Sequence, residues 1–254
     1  MIIDVFPFFN EFDLLEGRLE YLYNKIDQFI IIESNKTFTC KDKPLNFQEN
    51  KSRYAKYSDK ITHLIYDNQD TQPPDAWHHY HAQLDYALTV LNAIEDNAWV
   101  LIGDLDEIPN LQTLSEIKFP VESKEYTLLQ DMFFYNLNQK TIVPWSGTVL
   151  TRNSNIKKKR PSHFRQVRTH LQFIENGGWH LSYWGTPEKI RYKIENFSHQ
   201  EFNDEKYKSL DAIKDKINTG MDLYARPEEK MVKVDRGSLH PDLMKYFGKY
   251  EVTI

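Results

Sequence analysis

The sequence predicts an α/β domain in which short apolar strands alternate with amphipathic helices, and two stretches carry that prediction. The apolar run Ile2 to Phe9 is followed by Leu15, Leu19, Leu22 and Ile26 at helical spacing, and then by Phe29-Ile30-Ile31-Ile32-Glu33. Strand, helix and strand within about 33 residues is the length of a βαβ unit, whose crossover implies a parallel strand pair. Trp99-Val100-Leu101-Ile102-Gly103 repeats the strand signal and runs straight into Asp104-Leu105-Asp106-Glu107-Ile108-Pro109.

The remaining elements come in order. Ser34 to Asn46 is polar and turn-rich, a loop, and Ile61 to Tyr66 is a third strand. Pro73-Pro74-Asp75 breaks the chain and offers a cap to the next helix. Trp77, Tyr80, Leu84, Leu88, Leu91 and Ile94 share one face of that long helix. Beyond residue 120 the pattern becomes mixed. Tyr126 to Leu137 and Thr141 to Leu150 suggest a hairpin turning at Asn138-Gln139. Gly177-Gly178 precedes an aromatic strand, Trp179 to Trp184. Pro187 to Phe197 and Glu205 to Asn218 have helical patterns. With no repeat and no linker, residues 1–254 are expected to form one domain: a ligand-binding half to about residue 120 and a second half after it, since ligands of open α/β sheets lie at the carboxyl ends of the strands.

Composition excludes several classes. Of 254 residues, 40% are hydrophobic, enough for a substantial core, and a net charge of -5 argues against nonspecific nucleic-acid binding. The one basic block, Lys157-Lys158-Lys159-Arg160, is a solvated loop or a patch facing an anion. The single cysteine, Cys40, allows no internal disulfide and fits a reducing compartment. There is no signal-peptide pattern and no apolar stretch of membrane-spanning length, so the expectation is a soluble, cytoplasmic chain.

Asp104-Leu105-Asp106 is the sharpest chemical feature. In extended backbone, side chains two apart point the same way. Two carboxylates would then converge at the carboxyl edge of the sheet, where their repulsion and desolvation call for a partner. A hard divalent cation, Mg²⁺ or Mn²⁺, is one answer, held by one or two protein carboxylates with positions left for water and ligand phosphate. An acidic turn or capping cluster is the other, with Glu107 either supporting the metal or opening the next element.

Several stretches together resemble the glycosyltransferase family 17 pattern: Phe8-Phe9-Asn10-Glu11, Asp13-Leu14-Leu15-Glu16, Arg18-Leu19, Phe29 to Ser34, Thr37-Phe38, Lys43-Pro44-Leu45, Gly103 to Pro109, Tyr135-Asn136-Leu137 and Gly178-Trp179-His180. The resemblance runs from residue 2 to about residue 220. It implies a GT-A type fold, a Rossmann-like mixed sheet flanked by helices, with a nucleotide-binding half followed by an acceptor-binding half. It also implies UDP-GlcNAc as donor, Mn²⁺ or Mg²⁺ as metal, and inversion at the anomeric carbon. The chain is shorter than the animal members of that family, poor in cysteine and without their membrane anchor, so its acceptor need not be a glycoprotein.

Particular residues then take expected roles. Asp104 and Asp106 would hold the metal against the donor diphosphate, with His180 completing the site and His199 the alternative. Asn10, Glu11 and Glu33 end the first two strands, where a base or ribose would lie, and His79 and Gln83 sit one turn apart on the long helix. Asp131, Glu175 and Asp222 are the candidates for catalytic base, and Trp145, Trp179 and Trp184 for sugar-stacking platforms. Two rival readings remain: a metal-dependent phosphoryl or nucleotidyl transferase, and a non-catalytic carbohydrate-binding protein. The first loses ground because no Walker-type or Gly-x-Gly-x-x-Gly loop is present.

Overall fold

The computed structural model describes residues 1–71, 75–117, 124–227 and 229–252. Its centre is a mixed sheet whose strands are β1 (Ile2–Phe8), β2 (Gln28–Ser34), β3 (Ile61–Tyr66), β4 (Trp99–Ile102), β5 (Glu107–Pro109), β6 (Tyr126–Phe134), β7 (Gln139–Thr141), β8 (Trp145–Arg152), β9 (Gln172–Ser182) and β10 (Met231–Lys233). The order is β10-β7-β6-β8-β4-β1-β2-β3, with β9 pairing β6 and β5. The first four strands are mutually parallel where they pair, as the βαβ reading requires. Strand β8 then joins antiparallel to β4 and carries the sheet into the second half.

Burial in β1 alternates with the pleat. Ile3 and Val5 belong to one core cluster, Phe6 and Phe8 to the other. Helix α1 (Phe12–Leu22) packs on the Phe6 side through Leu15, Leu19 and Leu22. After α2 (Asn46–Asn50), helices α3 (Ala76–Asp85) and α4 (Leu88–Leu91) cover the opposite face with Tyr80, Leu84 and Leu91. The chain continues through α5 (Leu111–Glu116), α6 (Asn153–Lys159), α7 (Pro161–Val167), α8 (Pro187–Asn196), α9 (Glu205–Lys208), α10 (Leu210–Thr219) and α11 (Pro241–Phe247). Ile156 of α6 and Phe164 of α7 join the α3 side, and Leu243 and Phe247 of α11 join α1. A third cluster lies apart. Ile190 and Ile194 of α8, with Ile213 and Ile217 of α10, pack on Met132 and Phe134 of β6.

Several elements differ from the sequence reading for local reasons. The long helix expected from Trp77 to Ile94 divides because its bonds tighten: the N–H groups of Ala87, Thr89 and Val90 donate to Leu84, Tyr86 and Ala87, three residues back. The helix expected over 205–218 breaks at Ser209, whose extended backbone lets its hydroxyl accept from the Ala212 N–H at 3.3 Å. The hairpin expected over 126–150 is three strands, because Tyr135 takes φ +67° and ends β6. The basic block is no loop: Lys157 to Lys159 close α6, and Lys157 bonds Asp96 at 2.7 Å. Pro73 and Pro74 lie outside the described residues, while Asp75 caps α3 by accepting from the His78 N–H at 2.7 Å. No helix among the described residues is long and apolar enough to cross a membrane.

One buried ion pair ties β1, α1 and the acidic segment together. Arg18 and Asp4 are both fully buried, and the guanidinium donates to the two Asp4 oxygens at 2.8 and 2.7 Å. Its Nη1 also donates to the carbonyls of Asp104, Leu105 and Glu107 at 3.2, 3.0 and 2.5 Å. Removing one partner of such a pair strands the other charge. Arg18→Met should therefore lower the unfolding free energy by about 3–5 kcal/mol in urea titration. A loss under about 1 kcal/mol would refute that role.

Candidate active site

The parallel strands run β1, β2, β3 to one side, and β4 returns to the other side of β1. That reversal opens a crevice at the carboxyl ends of β1 and β4, the place where ligands of open α/β sheets bind. A cavity of about 500 Å³ lies there, lined by Phe9 and Glu11 after β1 and by Asp104 and Asp106 after β4.

Asp104 and Asp106 are not on an extended strand, as the sequence suggested. The Glu107 N–H donates to the Asp104 carbonyl at 3.1 Å, so Asp104 to Glu107 is a turn between β4 and β5. Gly103 has to enter it without a side chain, since a Cβ there would meet Thr148 Oγ1 at 2.6 Å and Glu107 Oε2 at 2.8 Å. The two carboxylates still line one cavity, but different cations meet them.

Arg165, from α7, holds Asp104. Its Nη2 donates to Asp104 Oδ2 at 2.8 Å and to Glu107 Oε1 at 2.7 Å, its Nη1 to Glu107 Oε2 at 2.9 Å and the Gly147 carbonyl at 3.0 Å, and its Nε to Tyr80 Oη at 3.0 Å. Every N–H of that guanidinium is thus used. The Tyr80 hydroxyl donates to Asp104 Oδ1 at 2.9 Å, and burial pushes the phenol far up, so it keeps its proton. Glu107 is fully buried and also accepts from Trp145 Nε1 at 2.8 Å. Burial alone would push its carboxyl up, but the Arg165 guanidinium brings it below its usual range.

Lys193, from α8, holds Asp106, its Nζ lying 2.8 Å from Oδ2. On the other side His180 Nε2 is 3.5 Å from Asp106 Oδ1. Burial works against the Asp106 anion, but the Lys193 ammonium and then the His180 ring keep its carboxyl well below the ordinary range. His180 sits on β9 opposite Glu107 of β5. That pairing needs Gly178 at φ +134°, because a Cβ there would lie 2.0 Å from the Ile108 carbonyl. The buried His180 Nδ1 has no hydrogen-bond partner among the described residues.

The other expected site residues divide. Glu11 lines the cavity and accepts from the Asn10 N–H at 3.0 Å, while Asn10 itself faces a small adjoining recess. Gln83 lines the cavity with its amide donating to the Ile32 carbonyl at 2.7 Å. Four others are engaged away from it. Glu33 turns inward and accepts from the Phe47 and Gln48 N–H groups at 2.9 and 3.2 Å, capping α2. His79 is buried between Asn68 and the Cys40 thiol, the latter 3.1 Å from its Nε2. Asp131 is bridged to Lys140 at 2.8 Å, and Asp222 to Arg226 at 2.6 Å. Glu175 is exposed on β9, outside the cavity lining. Of the three tryptophans, Trp145 lines the cavity, Trp179 packs in the core and Trp184 bonds the Tyr250 carbonyl at 3.1 Å.

Arg165, Lys193, Tyr80 and the half-exposed Trp77 were not singled out as site residues from sequence. The two cations lie 61 and 87 residues along the chain from the carboxylates they meet, on helices whose sequence marks only an apolar face.

A family model described as Glycosyltransferase family 17 matches residues 1–233. No functionally curated protein matches the chain. Among solved structures, a similar one is the glucosyl-3-phosphoglycerate synthase from Mycobacterium tuberculosis with Mn²⁺, UDP-glucose and glycerol 3-phosphate: 10% identity, 75% of this chain and 74% of that one, TM-score 0.40. Another is the inositol-1-phosphate CTP transferase from T. maritima: 9% identity, 70% of this chain and 84% of that one, TM-score 0.40. Likenesses of that size transfer no ligand.

The depressed carboxyls give the site an acid-sensitive stability. Asp106 and Glu107 titrate below their usual values of 3.8 and 4.5 in the folded chain, so their contribution is complete above those values and is lost as pH falls below them. Urea titrations from pH 7 downward should show the unfolding free energy dropping below about pH 4.5. Lys193→Met should make that acid limb shallower, because Asp106 loses its main attraction. Parallel limbs in the two proteins would contradict this.

Proposed function

As the chain belongs to glycosyltransferase family 17, we propose that it transfers a sugar, GlcNAc from UDP-GlcNAc, to a glycan hydroxyl with inversion, using Mn²⁺ or Mg²⁺. The observation that carries the reading is the meeting of Asp104 and Asp106 with Arg165, Lys193 and His180 at the switch point of the sheet. In this reading the nucleoside lies over the ends of β1, β2 and β3, where Glu11 and Gln83 line the cavity, and the acceptor enters from the second half.

The donor set fits a divalent ion supported by substrate phosphate. Asp106 supplies an oxygen and His180 a nitrogen, 3.5 Å apart, a combination suited to Mn²⁺. No cluster of three metal-ligating side chains forms among the described residues, so the remaining ligands must come from the diphosphate and water. Asp104, already engaged by Tyr80 and Arg165, is assigned to the donor. When bound, the metal supplies positive charge against the leaving diphosphate.

The chain's own residues do the rest. Lys193 shares its charge between Asp106 and the diphosphate as the bond from the anomeric carbon to the diphosphate oxygen breaks. The acceptor hydroxyl attacks that carbon from the opposite side, and its proton needs a base. His199 fits: it lines the cavity beside Trp77, 4.6 Å between ring centroids, and its Nδ1 lies 2.6 Å from Glu201 Oε1. That carboxylate fixes the proton on Nδ1 and leaves Nε2 to accept. His199 thus takes the role for which Asp131, Glu175 and Asp222 were candidates.

Thermal unfolding with Mn²⁺ and UDP, GDP, CMP or ADP tests the donor. A nucleotide at about 100 times its dissociation constant adds roughly 2.7 kcal/mol to the native state. UDP should shift the wild type only with Mn²⁺ present, and Asp106→Ala should lose the shift. A shift with another nucleotide would change the donor. No shift with any of them would defeat the reading and favour a cleft that binds carbohydrate without catalysis.

A further inference from the structure

The cations lining the cavity are of two kinds. Lys43, Arg165, Lys193 and Arg226 each face a carboxylate, at 3.6 Å (Glu33), 2.7 Å (Glu107), 2.8 Å (Asp106) and 2.6 Å (Asp222). Arg168 faces none. Its Nε donates to the Ser146 carbonyl at 2.8 Å and its Nη1 to the Arg165 carbonyl, while Nη2 is left without a partner among the described residues. No carboxylate there comes within 4.0 Å of it, and the guanidinium lies 5.0 Å from the centroid of Trp145.

Arg168 is partly buried, its free edge open to the cavity, and burial together with the neighbouring Arg165 pushes its pKa down. Buried charges in proteins are normally paired, and a planar guanidinium with a free edge matches the paired oxygens of a carboxylate or phosphate. That open edge can therefore meet an anion that enters the cavity.

The sheet says which end of the ligand. Strand β8 flanks β4 on the side away from β1, and it runs antiparallel, so its first residues lie at the carboxyl end of β4. Arg168 bonds Ser146 and covers Trp145, both at that start. Adjacent strands lie about 4.8 Å apart. Arg168 thus sits one strand beyond the acidic turn, on the flank opposite the nucleoside. Under the donor assignment above, on which this step rests, that is the ground where the transferred sugar meets the acceptor.

We propose that Arg168 is the receptor for an acidic group on the acceptor, a carboxylate or a phosphate, so that the enzyme glycosylates an anionic glycan. Trp145 supports the guanidinium plane from beneath and offers its remaining surface to the ring that bears the acid.

Glucuronate, glucose 6-phosphate and neutral glucose are suitable probes, titrated by calorimetry into the full chain with and without UDP and Mn²⁺. The acids should bind wild type about tenfold more tightly than glucose. Arg168→Gln should abolish that preference while leaving UDP affinity within about twofold, and Arg168→Lys, which keeps the charge, should retain part of the preference. Melting temperatures of the unliganded variants separate a lost site from a lost fold. Equal binding of acids and glucose by wild type would overturn the proposal, as would an acid preference that survives in Arg168→Gln. Loss of UDP affinity in Arg168→Gln would overturn it too, by assigning the arginine to the donor diphosphate. A wild type that prefers the acids yet binds no nucleotide would refute the donor reading alone.

Discussion

Everything at this site hangs on a guanidinium that never reaches it. Arg18 is sealed between β1 and α1, paired with Asp4, and its remaining N–H groups hold the carbonyls of the turn that carries Asp104 and Asp106. A tight turn at a strand end leaves carbonyls with no strand partner, and burying them unpaired would be expensive. Arg18 pairs them and takes its own neutrality from Asp4. The backbone of the acidic turn is thus fixed from below, and its side chains are left to face the cavity.

Above the turn, charge is balanced from two directions. Arg165 reaches Asp104 and Glu107 from the α3 side of the sheet, whereas Lys193 reaches Asp106 from α8 in the second half. The balances differ in kind. Arg165 is saturated, with five donors in five bonds, and behaves as part of the framework. Lys193 touches one carboxylate oxygen and keeps part of its side chain in solvent, so under the proposed function it is the cation free to exchange partners with the donor diphosphate. A point charge on a flexible stem suits that task better than a locked fork.

Much of this was legible from the chain, and unevenly so. Strands β1, β2 and β4 were plain because continuous apolar runs mark strands buried on both faces, while β3, at the sheet edge, shows a mixed and half-exposed run. Asp104, Asp106 and His180 could be named as candidates, though what brings them together is a turn and a strand pairing of β5 with β9. Glu33 shows why strand-end carboxylates mislead: it stands near the carboxyl end of β2, but its side chain turns back to cap α2. Asp131 had its reason in Lys140 of the neighbouring strand, a pairing no periodicity reveals. Arg165, Lys193 and Arg168 were illegible because a charge on a helix looks solvent-bound until the tertiary fold brings it to a partner.

The third core has a consequence for cooperativity. Lys193 rides on α8, whose apolar side packs with α10 against β6 and against Tyr183, which follows β9, in a cluster separate from the two that sandwich β1 and β4. Arg18, Asp4 and the acidic turn belong to the larger body. Local opening of α8 and α10, at less than the cost of global unfolding, would withdraw the ammonium while the turn stayed in place. The protein can thus lose its electrostatic closure without losing its scaffold, and the free energy of that partial opening, more than the melting of the whole, sets how often the cleft is complete.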